Sequence, residues 1–280
     1  MSSTENPSAS IHLVIEPGRR QLGEELEDLL HYQDLLYFLV RRELAVRYKQ
    51  TLLGALWAIL QPFMTMVVFS VFLGKLGGLP SDGIPYPVFA YLGLLPWTYF
   101  SGSVGRCSAS LVANAGLLGK VYFPRVLIPM SSTLAALADF AIASTVLVGL
   151  MMWYGLVPAA SVILFVPLTA LTAILALGVG MWLASLNVQY RDVQHVTPFL
   201  MQIWMFATPI VYPNSIVPER FRFVYELNPM AGVISAYRAS ALGHAIDWRA
   251  LGVSSILALV FLFSGWWQFR RMDRHFADIV

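Results

Sequence analysis

Residues 126–153 form an unbroken apolar run of 28 residues in which Asp139 is the only ionisable side chain. About 20 helical residues cross a bilayer core, so this run is long enough to span one. Five further runs lie at residues 54–73, 88–104, 162–186, 196–211 and 253–269. The predicted fold is an all-α integral membrane protein with six transmembrane helices. The second, fifth and sixth runs are short by count and borrow flanking residues such as Tyr86, Arg106, Tyr212 or Arg249 as interface anchors. A five-span alternative stays open, because the fifth run carries Pro198 and Pro209 and in that reading re-enters the membrane without crossing it.

Composition agrees with a chain that lives in lipid. Hydrophobic residues make up 58% of the 280 and charged residues 12%, with a mean hydropathy of +0.66. Soluble domains have about 45–50% and 25%. A net charge of +2 is too small to imply a nucleic-acid partner. One cysteine, Cys107, excludes an internal disulfide and a cysteine-based metal cage. The five histidines, His12, His31, His195, His244 and His275, show no metal-binding spacing, so no metal site is expected.

Orientation follows from Lys and Arg. With the N-terminus inside, thirteen of the eighteen fall in inner segments, among them Arg41, Arg42, Arg47, Lys49, Arg106, Lys120, Arg125 and Arg270. Lys75, Arg220, Arg222, Arg238 and Arg249 fall outside. The bias puts both termini and the loop at 110–129 in the cytoplasm.

That loop, SLVANAGLLGKVYFPRVLIP, is too polar and too rich in Gly and Pro to cross a bilayer. Asn114 is a cap for a short turn whose apolar side is Leu117, Leu118 and Val121, and Tyr122, Phe123 and Pro124 end it. Lys120 and Arg125 place positive charge at the same interface. Such a turn suits docking of a soluble partner, and an ordinary hairpin loop is the alternative.

Residues 1–31 are polar, with an acidic patch at 24–28 and no apolar core after Arg19 and Arg20, unlike a cleaved signal. In residues 33–49, Leu36, Val40, Leu44 and Tyr48 recur every four residues. Arg41, Arg42, Arg47 and Lys49 point elsewhere, as in a helix lying in the membrane surface against lipid headgroups. On the external side, Pro218 opens one possible short helix. Asn228 and Pro229 cap a second, whose Val233, Ile234, Tyr237 and Ala241 form an apolar side before Gly243. These helices read as a lid over a pathway or as a plain external hairpin.

Signs of chemistry are few. GLLGK at 116–120 lacks the Gly and the Ser or Thr of a phosphate loop, having Asn114 and Val121 there, so the chain has no nucleotide site of its own. Asp139 has no obvious partner and is expected to be hydrogen-bonded or to face a pore. Trp57, Trp97, Tyr99, Phe100, Trp204 and Phe206 permit a carbohydrate path, since rings stack on the apolar faces of sugars, although packing and interfacial belts explain any one of them equally well.

Several motifs occur together in one order: RRELAVRYKQTLLGALWAILQP at 41–62, PVFAYLGLLPWTYFSGSV at 87–104, NAGLLGKVYFPRVLIP at 114–129, NVQYRDVQHVTPFLMQIWMFATPIVYP at 187–213 and ELNPM at 226–230. They resemble the membrane subunit of type-2 ABC exporters for O-antigen and related polysaccharides, the Wzm-like permeases. The resemblance implies a cytoplasmic segment over 1–50 with an interfacial helix, a six-span domain over 51–270 and a cytoplasmic tail over 271–280. It implies a homodimer in the bacterial inner membrane, with two cytoplasmic ABC ATPase subunits that carry ATP and Mg while this chain holds no cofactor and performs no catalysis.

The loop with Asn114, Leu117, Leu118, Lys120, Val121, Tyr122, Phe123 and Arg125 would couple to the ATPase. Tyr212, Pro213, Asn228, Pro229 and Tyr237 would belong to a periplasmic gate. The substrate would be a polysaccharide on undecaprenyl diphosphate, which Arg41, Arg42 and Arg47 are suited to meet. Trp57, Trp97, Tyr99, Phe100, Asp139, Trp204 and Phe206 would line the pore. Export of capsule polysaccharide, teichoic acid or a drug is an alternative within the family. A membrane enzyme acting on lipid-linked sugars is the alternative outside it, and it calls for clustered acids or histidines that the sequence lacks.

Overall fold

The computed structural model describes residues 31–49, 54–118, 123–218, 220 and 225–279, with side chains to Met272. Its helices are α1 (Gln33–Tyr48), α2 (Leu56–Phe69), α3 (Tyr86–Ala113), α4 (Ala115–Leu118), α5 (Leu127–Trp153), α6 (Phe165–Gln189), α7 (Val193–Phe206), α8 (Pro229–Leu242) and α9 (Trp248–Ile279). A wider π-helical stretch, Ser70–Leu76, continues α2 without a break. No strand occurs among the described residues. An all-helical chain is the expected outcome, because in lipid each segment must pair its own backbone N–H and C=O groups.

The second apolar run, short by count, becomes the 28-residue α3. Helix extends past the apolar window, and near its end the buried Ser110 returns its hydroxyl to the Cys107 carbonyl at 2.7 Å. Every residue from 88 to 97 is buried. Ten consecutive buried positions cover nearly three turns, so α3 has no lipid-facing side there and forms the axis of the bundle. Helices α5 and α6 flank it, while α2, α7 and α8 complete its surroundings. Helix α9 packs outside, along α6.

The α6–α9 crossing depends on missing side chains. A Cβ added to Gly265 would stand 2.3 Å from the Gly178 carbonyl oxygen, and one on Gly178 would stand 2.5 Å from the Leu262 nitrogen. Small residues permit this approach, which is how helices associate where burial of apolar surface gives little driving force.

The fifth run behaves differently from a regular span. Helix α7 has 14 residues, about 21 Å, too short for a hydrocarbon core of about 30 Å. Yet the chain does travel the whole way. Asn187, just before α7, donates to the Ser108 carbonyl near the Ala113 end of α3. Val211, just after it, accepts from the Tyr86 hydroxyl at the opposite end. Residues 207–213 continue from α7 as irregular backbone. Among the described residues, four helical stretches are by length and composition able to cross a membrane: Leu56–Leu76, Leu127–Trp153, Ala160–Gln189 and Trp248–Met272.

Helix α1 is seated on the bundle. It packs along the first half of α5. Leu39 joins a buried cluster with Leu111, Phe123, Leu127, Ile128 and Phe269. One turn on, Glu43 accepts from Ser132 at 3.2 Å. Tyr37, Phe38 and Val46 are exposed, at 64, 63 and 73%.

Candidate functional site

Asp139 lies about 18 Å along α5 from its first residue. In a helix otherwise without charge, an ionised carboxylate requires partners. Arg47 Nη1 donates to its Oδ2 and the Tyr48 hydroxyl to its Oδ1. Arg106 Nη2 stands 3.7 Å from the same Oδ2. Asp139 is thus hydrogen-bonded, and the partner that the sequence does not reveal is a residue 92 positions away.

Arg47 also departs from the group of outward-pointing cations. Leu39, Glu43 and Arg47 repeat every four residues on one helix side, so a buried Leu39 carries Arg47 inward. Arg41, Arg42 and Lys49 remain exposed, with the Arg41 guanidinium 5.7 Å from the Tyr37 ring. Burial, and then the bond to the Asp139 carboxylate, raises the Tyr48 phenol above its usual pKa and keeps it a proton donor.

A cavity of about 300 Å³ opens beside this cluster. Its walls include Arg47, Trp57, Gln61, Tyr99, Arg106 and Phe140. Arg106 enters the sequence only as a boundary residue and Tyr48 only as part of an apolar stripe. The one available signal is Asp139 itself, an acid in an apolar run that implies nearby bases.

The remaining aromatic candidates separate into two groups. Trp97 and Phe100 are buried, and Trp204 packs edge-on against both at centroid distances of 6.4 and 5.1 Å. These rings contact one another inside one chain. Tyr99 is buried as well, its hydroxyl aimed at the Thr133 carbonyl at 3.4 Å. Trp57 and Phe206 are more than half exposed. Trp204 borders a second cavity of about 410 Å³ that includes Tyr225 and Asn228.

At the Tyr86 end, Asn228 joins α7 to α8. Its side-chain oxygen caps α8 by accepting from Met230 N at 3.1 Å and also accepts from Trp204 Nε1 at 3.0 Å. Its amide nitrogen donates to Thr208 Oγ1 at 2.9 Å and the Ala207 carbonyl at 3.2 Å. Pro229 opens α8, and Gly243 ends it with φ +73°, a conformation suited to glycine.

The expected one-sided apolar helix is instead buried on nearly every side. Its small residues admit close neighbours, and a Cβ on Gly232 would meet the Ala250 carbonyl at 2.4 Å. Tyr237 is fully buried, shares a 2.7 Å hydrogen bond with Thr169 and stacks edge-on against Phe165 at 4.8 Å. Pro213 is buried, and the half-buried Tyr212 donates to the Phe206 carbonyl at 3.3 Å.

Arg238, which enters the sequence only as an external charge, holds the irregular backbone after α7. Its Nη1 donates to the Pro209 carbonyl and its Nη2 to that of Ile210, each at 2.7 Å.

The loop after α3 is seated on the bundle. The Asn114 side chain reaches back to the Ser110 carbonyl at 2.9 Å, while its own carbonyl accepts from Leu117 N at 2.9 Å. It thus closes α3 and opens α4. Leu117 and Leu118 rest against the buried cluster that contains Leu39 and Leu111. Phe123 belongs to that cluster at 5% exposure, with Arg125 half-buried beyond it. Lys120, Val121 and Tyr122 lie outside the described residues.

Residues 34–242 match the family described as ABC-2 type transporter. The O-antigen export system permease protein RfbA of Myxococcus xanthus is 32% identical over 259 residues, covering 91% of this chain and 98% of that one. A protein of the same description from Klebsiella pneumoniae is 29% identical, covering 88% and 95%. The polysialic acid transport protein KpsM of Escherichia coli is 29% identical, covering 80% and 88%.

Proposed function

This chain belongs to the ABC-2 type transporter family and is a permease of an ABC-2 type exporter, and we propose that its cargo is an O-antigen polysaccharide linked to undecaprenyl diphosphate. The observation that carries the cargo is the match to O-antigen permeases along nearly their whole length. Two copies form the conduit in the bacterial inner membrane, with both termini in the cytoplasm and membrane lipids around them. Two ATPase subunits bind below, hold the ATP and Mg, and perform the hydrolysis; this chain makes and breaks no bond.

Residues 114–125 are the coupling element in this reading. Support comes from their seat: Leu117, Leu118 and Phe123 rest on the cluster where α1, α3, α5, α6 and α9 meet. Such a seat passes a push from below to several helices at once, because close-packed side chains transmit displacement. Asn228, Pro229, Tyr212, Pro213 and Tyr237 belong to the external gate. Their support is the bonding of Asn228 to both α7 and α8, which makes the two helices move together.

A test is deletion of the gene, followed by isolation of the lipid-linked glycans left on the cytoplasmic side. The expected outcome is accumulation of O-antigen on its lipid carrier, together with co-purification of the tagged chain with a soluble ATPase. Accumulation of a capsule polymer would instead favour the second reading, which the likeness to KpsM supports. Accumulation of neither polymer would refute both.

A further inference from the structure

We propose that the cavity beside Asp139 binds a phosphoryl group carried by a membrane lipid, and that Asp139 holds the two arginines in its place while the cavity is empty. Arg106 is the first reason. None of its five N–H donors makes a hydrogen bond among the described residues. Its contact with Asp139, at 3.7 Å, is an ion pair beyond hydrogen-bond reach. Its Nε is buried without a partner. The guanidinium lies against Gly102, where an added Cβ would come within 3.3 Å of it. A glycine leaves room for that group at the cavity wall, and unsatisfied donors there favour an acceptor-rich ligand.

Convergence is the second reason. Arg47 and Arg106 approach the same Asp139 oxygen. A carboxylate cannot serve two guanidinium forks at full strength, whereas a phosphoryl group offers three acceptor oxygens. Charge decides how the group arrives. Glu43 lies within electrostatic reach of Arg106, so among the described residues two carboxylates, Glu43 and Asp139, face the two arginines. The anion therefore enters by exchange with Asp139 rather than by simple addition. Exchange favours the higher charge of a diphosphate over the single charge of a phosphodiester.

Depth and walls supply the third reason. Arg106 lies about 10 Å from the Ala113 end of α3. Trp57, Tyr99, Phe140 and Pro62 give the cavity an apolar and aromatic lining next to its charges. That combination suits a lipid whose phosphate meets an apolar chain. Occupation would also replace the ties that Arg47 and Tyr48, at the end of α1, make to Asp139. Identifying the lipid with the exporter's cargo rests on the reading above; the phosphoryl site does not.

The test uses the full chain with its ATPase partner in nanodiscs of phosphatidylcholine, titrated with farnesyl diphosphate and followed by microscale thermophoresis. Arg106→Gln is expected to weaken binding about tenfold or more, through loss of a charged fork. Asp139→Asn is expected to tighten it several-fold, because the competing charge is gone. A purely structural ion pair predicts no such opposite signs. Unchanged binding in Arg106→Gln, or weaker binding in Asp139→Asn, would overturn the proposal. If Arg106→Gln does not assemble, Arg106→Lys keeps the charge without the fork and is expected to lose about threefold; wild-type affinity there would overturn the proposal equally.

A second arm replaces part of the phosphatidylcholine with phosphatidylglycerol. Weak competition supports a diphosphate cargo. Competition as strong as that of farnesyl diphosphate supports the phosphoryl site and assigns it to phospholipid headgroups, leaving the exporter reading to its own test.

Discussion

The Arg238 guanidinium lies 3.7 Å above the ring of Phe89, while both of its Nη atoms donate to carbonyls of the irregular segment after α7. Irregular backbone at membrane depth persists only where other groups satisfy it. Arg238 does so for Pro209 and Ile210, and Tyr86 for Val211. Arg238→Lys keeps a charge but not the fork, so at least one carbonyl is left bare at a cost of about 1–3 kcal/mol. The apparent melting temperature of the purified chain should fall by roughly 2–5 °C. A change of under a degree would show that Arg238 does not brace this segment.

Asn228 and Trp204 allow a graded test of the α7–α8 joint. Trp204→Phe keeps the edge-on contacts with Trp97 and Phe100 and removes one hydrogen bond, so export measured as surface polymer should decline only slightly. Asn228→Ala removes the cap, about 1 kcal/mol by itself, and three further bonds. It should reduce export much more, with the chain still in the membrane. Equal effects of the two substitutions would remove Asn228 as the joint.

Gly265 carries a packing prediction. A methyl group placed 2.3 Å from the Gly178 carbonyl cannot be accommodated without moving α9. Gly265→Ala should cost about 1–3 kcal/mol, and Gly265→Leu should abolish accumulation of the folded chain on size-exclusion chromatography. Gly252→Ala, where nothing lies within 4 Å, is the matched control and should accumulate normally.

Leu118 tests coupling. Leu118→Asp replaces an apolar contact of the short helix with a charge. The expected result is a chain that still reaches the membrane but no longer exports polymer in step with ATP hydrolysis by its partner. Normal export would refute the role given to residues 114–125.

Much of the outline was legible in the sequence. The apolar runs announce membrane helices because lipid excludes unpaired backbone. Asn228, Pro229 and Gly243 mark the ends of α8 because capping chemistry is local. Family membership was legible because its motifs are long and keep one order. Arg47 was nearly legible, since it continues the four-residue repeat from Leu39. Its partner was not, because nothing local links residues 92 apart.

The sequence by itself determined which segments are helical and apolar, and where the short loop helix begins. Only the tertiary structure decided that α8 is buried, that the fifth apolar run ends in irregular backbone under Arg238, and that Arg47, Tyr48 and Arg106 gather at Asp139. Helical periodicity and capping act over a few residues and are written in consecutive letters. Burial of a charge is settled by which distant helices cross, and that depends on close packing at positions such as Gly178 and Gly265.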